Sequence, residues 1–177
     1  MFKAILRLVG VLVGAALAVA VVFVVGMRTK FPPVLNAVRR MNREVWNPRQ
    51  METAGKPGAW ASIIRHVGRN SGREYETPVV AVHTDDGFVI ALPYGHHADW
   101  LKNVMAQGSA TLVHEGEAHH LDHAVIVPIE DVNHHFPEKE QQTHLMFGID
   151  QALVLREADP AGSTSDASHP RLATVDA

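Results

Sequence analysis

Cysteine is absent from all 177 residues. That excludes disulfide scaffolds, thiolate zinc or iron–sulfur sites and cysteine nucleophiles, so any redox chemistry has to come from a borrowed cofactor. The two commonest phosphate-binding motifs are missing as well. No glycine-rich loop ends in Gly-Lys-Ser/Thr, and there is no Gly-x-Gly-x-x-Gly of the dinucleotide type. There is no internal repeat, and 19.4 kDa leaves no room for a second enzyme-sized domain. Acidic residues are nearly missing from positions 1–73, which hold 2 of the 19 Asp+Glu but 12 of the 16 Lys+Arg.

The net charge of -3 therefore hides a divided chain, formally +10 up to residue 73 and -13 beyond it. A basic N-terminal part argues for an anionic partner, either a membrane surface or a phosphorylated ligand. The acidic remainder argues against a nucleic-acid footprint.

From Leu8 to Met27 no residue is charged. About 20 apolar residues at 1.5 Å rise span a ~30 Å hydrocarbon core, and apolarity all round excludes a surface-lying amphipathic helix. The expectation is a transmembrane anchor. A cleaved signal peptide is the competing reading, with Lys3 and Arg7 as its basic region and Ala16-Leu17-Ala18 or Ala18-Val19-Ala20 as cleavage sites. Against it, the apolar run continues past those sites. Lys3 and Arg7 precede the span, whereas Arg28, Lys30, Arg39, Arg40 and Arg43 follow it. That bias favours a single pass through the cell membrane with the body in the cytoplasm, an outward-facing body being the alternative.

After the stiff Phe31-Pro32-Pro33, apolar residues at Val34, Leu35, Val38, Met41 and Val45 predict a short basic amphipathic helix that Asn47-Pro48 ends. Its arginines either solvate one face or meet anionic headgroups. Strand signals then dominate: Trp60–Val67, Thr77–Thr84, Phe88–Leu92, Ser109–His114, Ala118–Val127 and Ala152–Arg156. Helices are expected over Ala98–Gln107 and over Asp131–Phe147 with a break at Pro137. The fold class is mainly β with inserted helices, a small antiparallel barrel behind an N-terminal transmembrane helix. The expected division is an anchor over 1–30, a basic helix and linker over 31–58, a barrel domain over 59–157 and a disordered tail over 158–177.

Two stretches carry chemistry. In Gly68-Arg69-Asn70-Ser71-Gly72-Arg73, two glycines permit a tight turn that exposes N–H groups, Ser71 adds a hydroxyl, and two arginines add charge. Together these make an anion cradle, although an ordinary basic hairpin turn has the same composition. In Pro93-Tyr94-Gly95-His96-His97-Ala98-Asp99-Trp100-Leu101-Lys102-Asn103, a strand runs through a glycine into a helix start, which presents backbone donors to a polar ligand. Tyr94 and Trp100 have the shape to pack on a flat ring, yet Trp100 taken alone reads as core.

Taken together, Gly-Arg-x-Ser-Gly followed by Thr-Pro-Val, then Tyr-Gly, then Asp-Trp-x-x-Asn and Gly-x-Ala-x-Leu resembles the deazaflavin-dependent nitroreductase and quinone-reductase family. Its members use coenzyme F420 on a split β-barrel. The resemblance runs from about Asn47 to about Arg156 in matching order. It implies that Arg69, Asn70, Ser71 and Gly72 hold the phosphate and polyglutamate tail, and that Thr77 and Pro78 lie where a strand lines the ring. Tyr94 and Gly95, with Trp100 and Asn103 behind them, are implied to close over it. Two departures stand out. The family often has basic residues where this chain has Asn70 and Tyr75, leaving Arg73 as the replacement, and the C-terminal tyrosine cluster of nitroimidazole-reducing members is missing.

The resemblance implies hydride transfer from the reduced cofactor to a small-molecule acceptor, a quinone or a nitro or enone compound. Tyr94 is the expected catalytic proton donor, with His134, His135 and His144 as other candidates. Partners are then the acceptor and membrane lipid, not nucleic acid. FMN is the alternative cofactor, and a non-catalytic protein that holds F420 or a lipid is the alternative function. Twelve histidines invite a metal, but the adjacent pairs His119-His120 and His134-His135 would point to opposite faces of a strand, and no metal site is expected.

Overall fold

The computed structural model of the chain describes residues 2–158. The expected tail falls, apart from its first residue, outside them. Helix α1 (Phe2–Arg28) contains a 20-residue stretch, Val9–Arg28, long and apolar enough to cross a membrane, and 6% of it is buried by the rest of the protein. The prolines that break it then open α2 (Pro32–Met41), since the first turn of a helix has no use for their missing N–H groups.

The helix does not end at Asn47-Pro48. It passes through a π-helical turn (Asn42–Trp46) into α3 (Asn47–Met51). Pro48 lacks a donor, and its ring crowds the carbonyl one turn back. The chain widens instead of stopping, with the Asn47 N–H donating to the Asn42 carbonyl five residues earlier.

The body is one antiparallel sheet of β1 (Ser62–Val67), β2 (Glu74–Val79), β3 (Ala81–Thr84), β4 (Gly87–Ala91), β5 (Ala110–His114), β6 (Glu117–Pro128) and β7 (Gln151–Glu157). The lateral order is β2-β1-β5-β6-β7-β4-β3. The two edge strands, β2 and β3, are separated in the chain by Val80 alone. Laid flat, seven strands would set those edges roughly 29 Å apart, whereas two residue steps reach about 7 Å. The sheet therefore has to curl until its edges meet at Val80, giving a half-barrel consistent with the split barrel expected. The single strand expected over Thr77–Thr84 is in fact these two edge strands. The apolar and β-branched pattern runs unbroken across the corner, so the bend left no local mark. Strand β6 carries a second irregularity, a register shift between Asp122 and Val125, with His123 at a φ of 50°.

Alternation in β1 turns Ser62, Ile64 and His66 inward. Ile64 pairs with Leu112 of β5 and joins Phe88, Ile90, Leu121, Leu153 and Leu155 in the barrel core. Helix α4 (Asp99–Gln107) adds Leu101 and Val104, both buried, to the same core. Each such side chain contributes about 1.5–3 kcal/mol on burial. On the outer face of β4 and its neighbour β7, Val89 and Ala152 pack with Phe136, in the segment between α5 (Ile129–Val132) and α6 (Glu138–Phe147). That second small core is why β4 is buried on both faces.

The end of α1 is docked on this body. Phe23 meets Phe147 of α6 edge-on with ring centroids 5.8 Å apart, the Arg28 guanidinium donates to the Leu145 carbonyl, and Lys30 Nζ donates to Asp150 at 2.7 Å. The end of the apolar helix is thus tied to α6 and the residues that follow it.

Candidate functional site

The β1–β2 turn is closed by the Gly68 N–H donating to the Arg73 carbonyl at 2.8 Å. A Cβ on Gly68 would lie 2.5 Å from Ser71 Oγ and 2.7 Å from Tyr75 Cε2, so a larger residue there would displace both side chains. Gly72 completes the turn at a φ of 64°. Arg69 leaves this turn toward α4, where its backbone N–H and its Nη1 both donate to Asn103 Oδ1, at 3.2 and 2.8 Å. Its Nη2 pairs with Asp99 Oδ1 at 3.3 Å.

Below Arg69 the polar groups form a buried chain. Asn103 and His66 are each only 6% exposed. With Asn103 Oδ1 accepting from Arg69, its Nδ2 is the group facing His66 Nδ1 at 3.2 Å, so that ring nitrogen accepts. The proton then sits on His66 Nε2, which donates to Thr77 Oγ1 at 3.2 Å. Burial pushes the His66 pKa down, which keeps the ring in the neutral form that this pattern needs.

Tyr75 covers the other side of the turn. It stacks on His66 with centroids 5.8 Å apart, and its hydroxyl lies 3.2 Å from Ser71 Oγ. The Ser71 hydrogen bond, and then the Arg73 charge, lower the Tyr75 phenol pKa. Asn70 is exposed at the tip, and Pro78 is half-buried in β2 opposite Ile63.

Arg69, Thr77 and Asn103 are therefore brought together, with Ser71 and Gly72 beside them. His66 and Asp99 complete the group, although the sequence reading gave neither a role. Asn103 lies beneath Arg69 and orients it. Trp100 is half-buried and packs against the barrel core.

Tyr94 and Gly95 belong to a second group, joined to the first by the short run to Asp99. A cavity of about 460 Å³ separates α2 from this loop, lined among others by Lys30, Leu35, Arg39, Tyr94, His96 and Asp150. The Tyr94 hydroxyl accepts from Asn42 Nδ2, and the Arg39 Nη2 donates to the Tyr94 carbonyl at 2.9 Å. The Arg39 guanidinium carbon lies 6.0 Å from the Tyr94 ring centre, and its Nε is buried with no hydrogen-bond partner among the described residues. Burial raises the Tyr94 phenol pKa, against the opposing pull of Asn42 and Arg39. The first loop histidine, His96, depresses the pKa of the second, His97.

Arg39, one of the arginines expected to solvate a face or meet lipid, thus lines this cavity together with Lys30, while Arg40 pairs with Glu44 one turn on. No local signal could have shown this, because Arg39 and Tyr94 are 55 residues apart.

The other candidate proton donors do not line the cavity. His134 and His135 are exposed, and their rings meet at a tilt with centroids 4.0 Å apart. His144 is buried on α6, where its Nδ1 lies 2.8 Å from Asn133 Oδ1 and its ring meets Phe136. Among the described residues no three His, Asp or Glu side chains are grouped so as to hold a metal ion.

No family model and no curated protein matches the chain. Among solved structures it is similar to HutZ, the heme storage protein from Vibrio cholerae, with 12% identity over 63% of this chain and 89% of that one and a TM-score of 0.43. A chain described as a domain-swapped dimer is 14% identical over 68% of this chain and 98% of its own, at a TM-score of 0.43. A protein of unknown function from Agrobacterium tumefaciens is 13% identical over 55% of this chain and 48% of its own, at 0.40. Identities this low leave the cofactor to be argued from the residues of this chain.

Proposed function

We propose that the protein is a membrane-anchored reductase that uses reduced coenzyme F420 to reduce a quinone or a nitro or enone acceptor, with its body in the cytoplasm. The observation that carries this reading is the Arg69–Asn103–His66–Thr77 chain. It spends buried polar groups on fixing one partly exposed guanidinium beside the exposed Ser71 and Arg73 side chains, an arrangement suited to a phosphate-bearing tail although the Gly68, Arg69, Ser71, Gly72 and Arg73 N–H groups bond within the protein. A cavity of about 460 Å³ is within the range of small-molecule sites, and Lys30 and Arg39 in its lining give it positive charge. The cradle therefore suits the anionic tail of the deazaflavin in charge, and the neighbouring cavity has the volume for a small flat ring.

In this reading Arg69, with Ser71, Gly72 and the exposed Asn70, holds the anionic tail. The strand at Thr77 and Pro78 and the loop at Tyr94 and Gly95 flank the ring, with Trp100 and Asn103 supporting that loop and the cradle from α4. The bound cofactor supplies a hydride. Tyr94 supplies the matching proton: its oxygen accepts from Asn42, which leaves its own O–H free, and its raised pKa keeps it protonated at neutral pH. Hydride and proton together complete a two-electron reduction.

The test is to incubate the purified full chain with oxidised F420 and, separately, with FMN, and to measure retention. Turnover of a quinone by the reduced protein follows. Retention of FMN alone would overturn the cofactor, and retention of F420 without turnover would favour a holding protein over an enzyme. Tyr94→Phe is expected to leave F420 affinity within about two-fold and to lower turnover by about 100-fold, the usual worth of a positioned acid.

A further inference from the structure

We propose that the last turn of α6, Leu145–Phe147, is a second membrane contact that dips into the headgroup boundary of the bilayer crossed by α1. This rests on reading α1 as an anchor.

The argument is one of height. Phe23 precedes Arg28 by five residues, about 7.5 Å of helix, and both touch the same end of α6. Phe147 packs on Phe23, and the Leu145 carbonyl accepts from Arg28. If Val9–Arg28 spans the hydrocarbon, the end of α6 lies level with the last turns of that span. The Lys30–Asp150 pair then fixes the same height just above it.

The composition of α6 agrees. Its apolar residues lie at one end and not along one face: Glu138 to Gln142 are polar, whereas Leu145 and Met146 are 73% and 48% exposed. Large apolar side chains left bare beside a bare apolar helix form one surface with it. α1 itself is bare over its membrane-length stretch, with Val19 69% exposed. The occupant that covers such a continuous surface is the bilayer. A consequence for the reading above is that the cavity, lined by Lys30 and Asp150, opens close to the lipid plane.

Because the chain has no cysteine, single labels are clean. Leu145→Cys, Met146→Cys, Val19→Cys and Asp86→Cys in the full chain would each carry an environment-sensitive fluorophore. The proteins would be placed in phosphatidylcholine–phosphatidylglycerol vesicles containing nitroxide lipids of shallow or deep position. The expected result is quenching of the label at 19 by deep nitroxides, blue-shifted emission and quenching at 145 and 146 by shallow ones, and neither at 86, on an exposed hairpin. If 145 and 146 behave like 86 while 19 is quenched, the second contact is overturned and the anchor stands. If 19 is not quenched, the anchor fails and the second contact falls with it.

Discussion

Strand β1 has a histidine near each end, and the two are used in opposite ways. At the cradle end, His66 is neutral and hydrogen-bonded on both ring nitrogens, and it transmits order through Asn103 to a guanidinium that faces outward. At the far end, Ser62 Oγ lies 2.7 Å from His114 Nδ1. His114 sits there with His83 and His119 around the buried Phe88, at centroid distances of 5.3, 4.8 and 4.8 Å. His119 Nδ1 is in turn 2.8 Å from Glu157. One end is a relay to a charge that a ligand can reach, and the other is a plug of aromatic rings. The lesson is that a histidine's role follows from what its second nitrogen meets, not from how many histidines the chain has.

The largest effect that sharpens this contrast is Arg69→Glu. Reversing a held charge beside an anionic tail, and setting it against Asp99, is expected to weaken F420 binding by about 100-fold or more. Far-UV circular dichroism should stay unchanged. An unaltered dissociation constant would place the tail elsewhere and remove the functional half of the comparison.

Next comes Asn103→Leu, which keeps the volume but leaves Arg69 and His66 without their common partner. Leaving buried polar groups unsatisfied costs about 1–3 kcal/mol each. Urea unfolding should show a loss of that order, together with roughly ten-fold weaker F420 binding as Arg69 loses its orientation. A loss of stability with affinity intact would mean that Asn103 is structural only.

Acidification acts on both ends but should be felt in binding at one. Burial lowers the pKa of His66 and of His114 below the ordinary 6.5, with the neighbouring Glu115 opposing this at His114. As pH falls below about 6.5 the unfolded chain therefore takes up protons before the folded one, so stability is full above that value and declines beneath it. Binding of F420 should weaken by a few-fold at lower pH still, where the folded His66 itself takes up a proton, since a protonated His66 cannot accept from Asn103. Replacing His114 with Gln is expected to flatten part of the stability profile while leaving the binding profile in place. A binding profile that flattens together with the stability profile in that variant would erase the distinction between the ends.

Why one end was legible in the sequence and the other was not has a physical basis. The turn is local: six consecutive residues form it, and Thr77 follows within a strand's length, so their types and spacing already announced a tight basic turn. The role of Asn103 as the support for Arg69 lies 34 residues away, and nothing in the turn announces it. The histidine plug draws on β3, β5 and β6, whose register the sequence does not state. The barrel itself was legible as alternating strands, but its corner at Val80 was not, because a strand that changes sheet edge keeps its pattern. The α2 to α3 connection was misread for a different reason: Pro48 is a reliable stop only where the helix cannot widen by one residue.

The smallest expected effect is the most direct test of the plug. Ser62 is 2% exposed, and Ser62→Ala removes a hydroxyl from His114 without opening a large void. His114 is half-buried, so water can replace part of the lost hydrogen bond, and the cost should be about 1 kcal/mol in urea unfolding. Four residue steps of β1 separate Ser62 from His66 at the base of the cradle, about 13 Å of strand, and the intervening Ile64 is packed in the core. Coupling over that distance needs an element with two arrangements, and a close-packed barrel core has one. F420 affinity and turnover should therefore match the parent protein within measurement. A change in either would mean that the plug and the relay act as one unit, and the two ends of β1 would have to be read together.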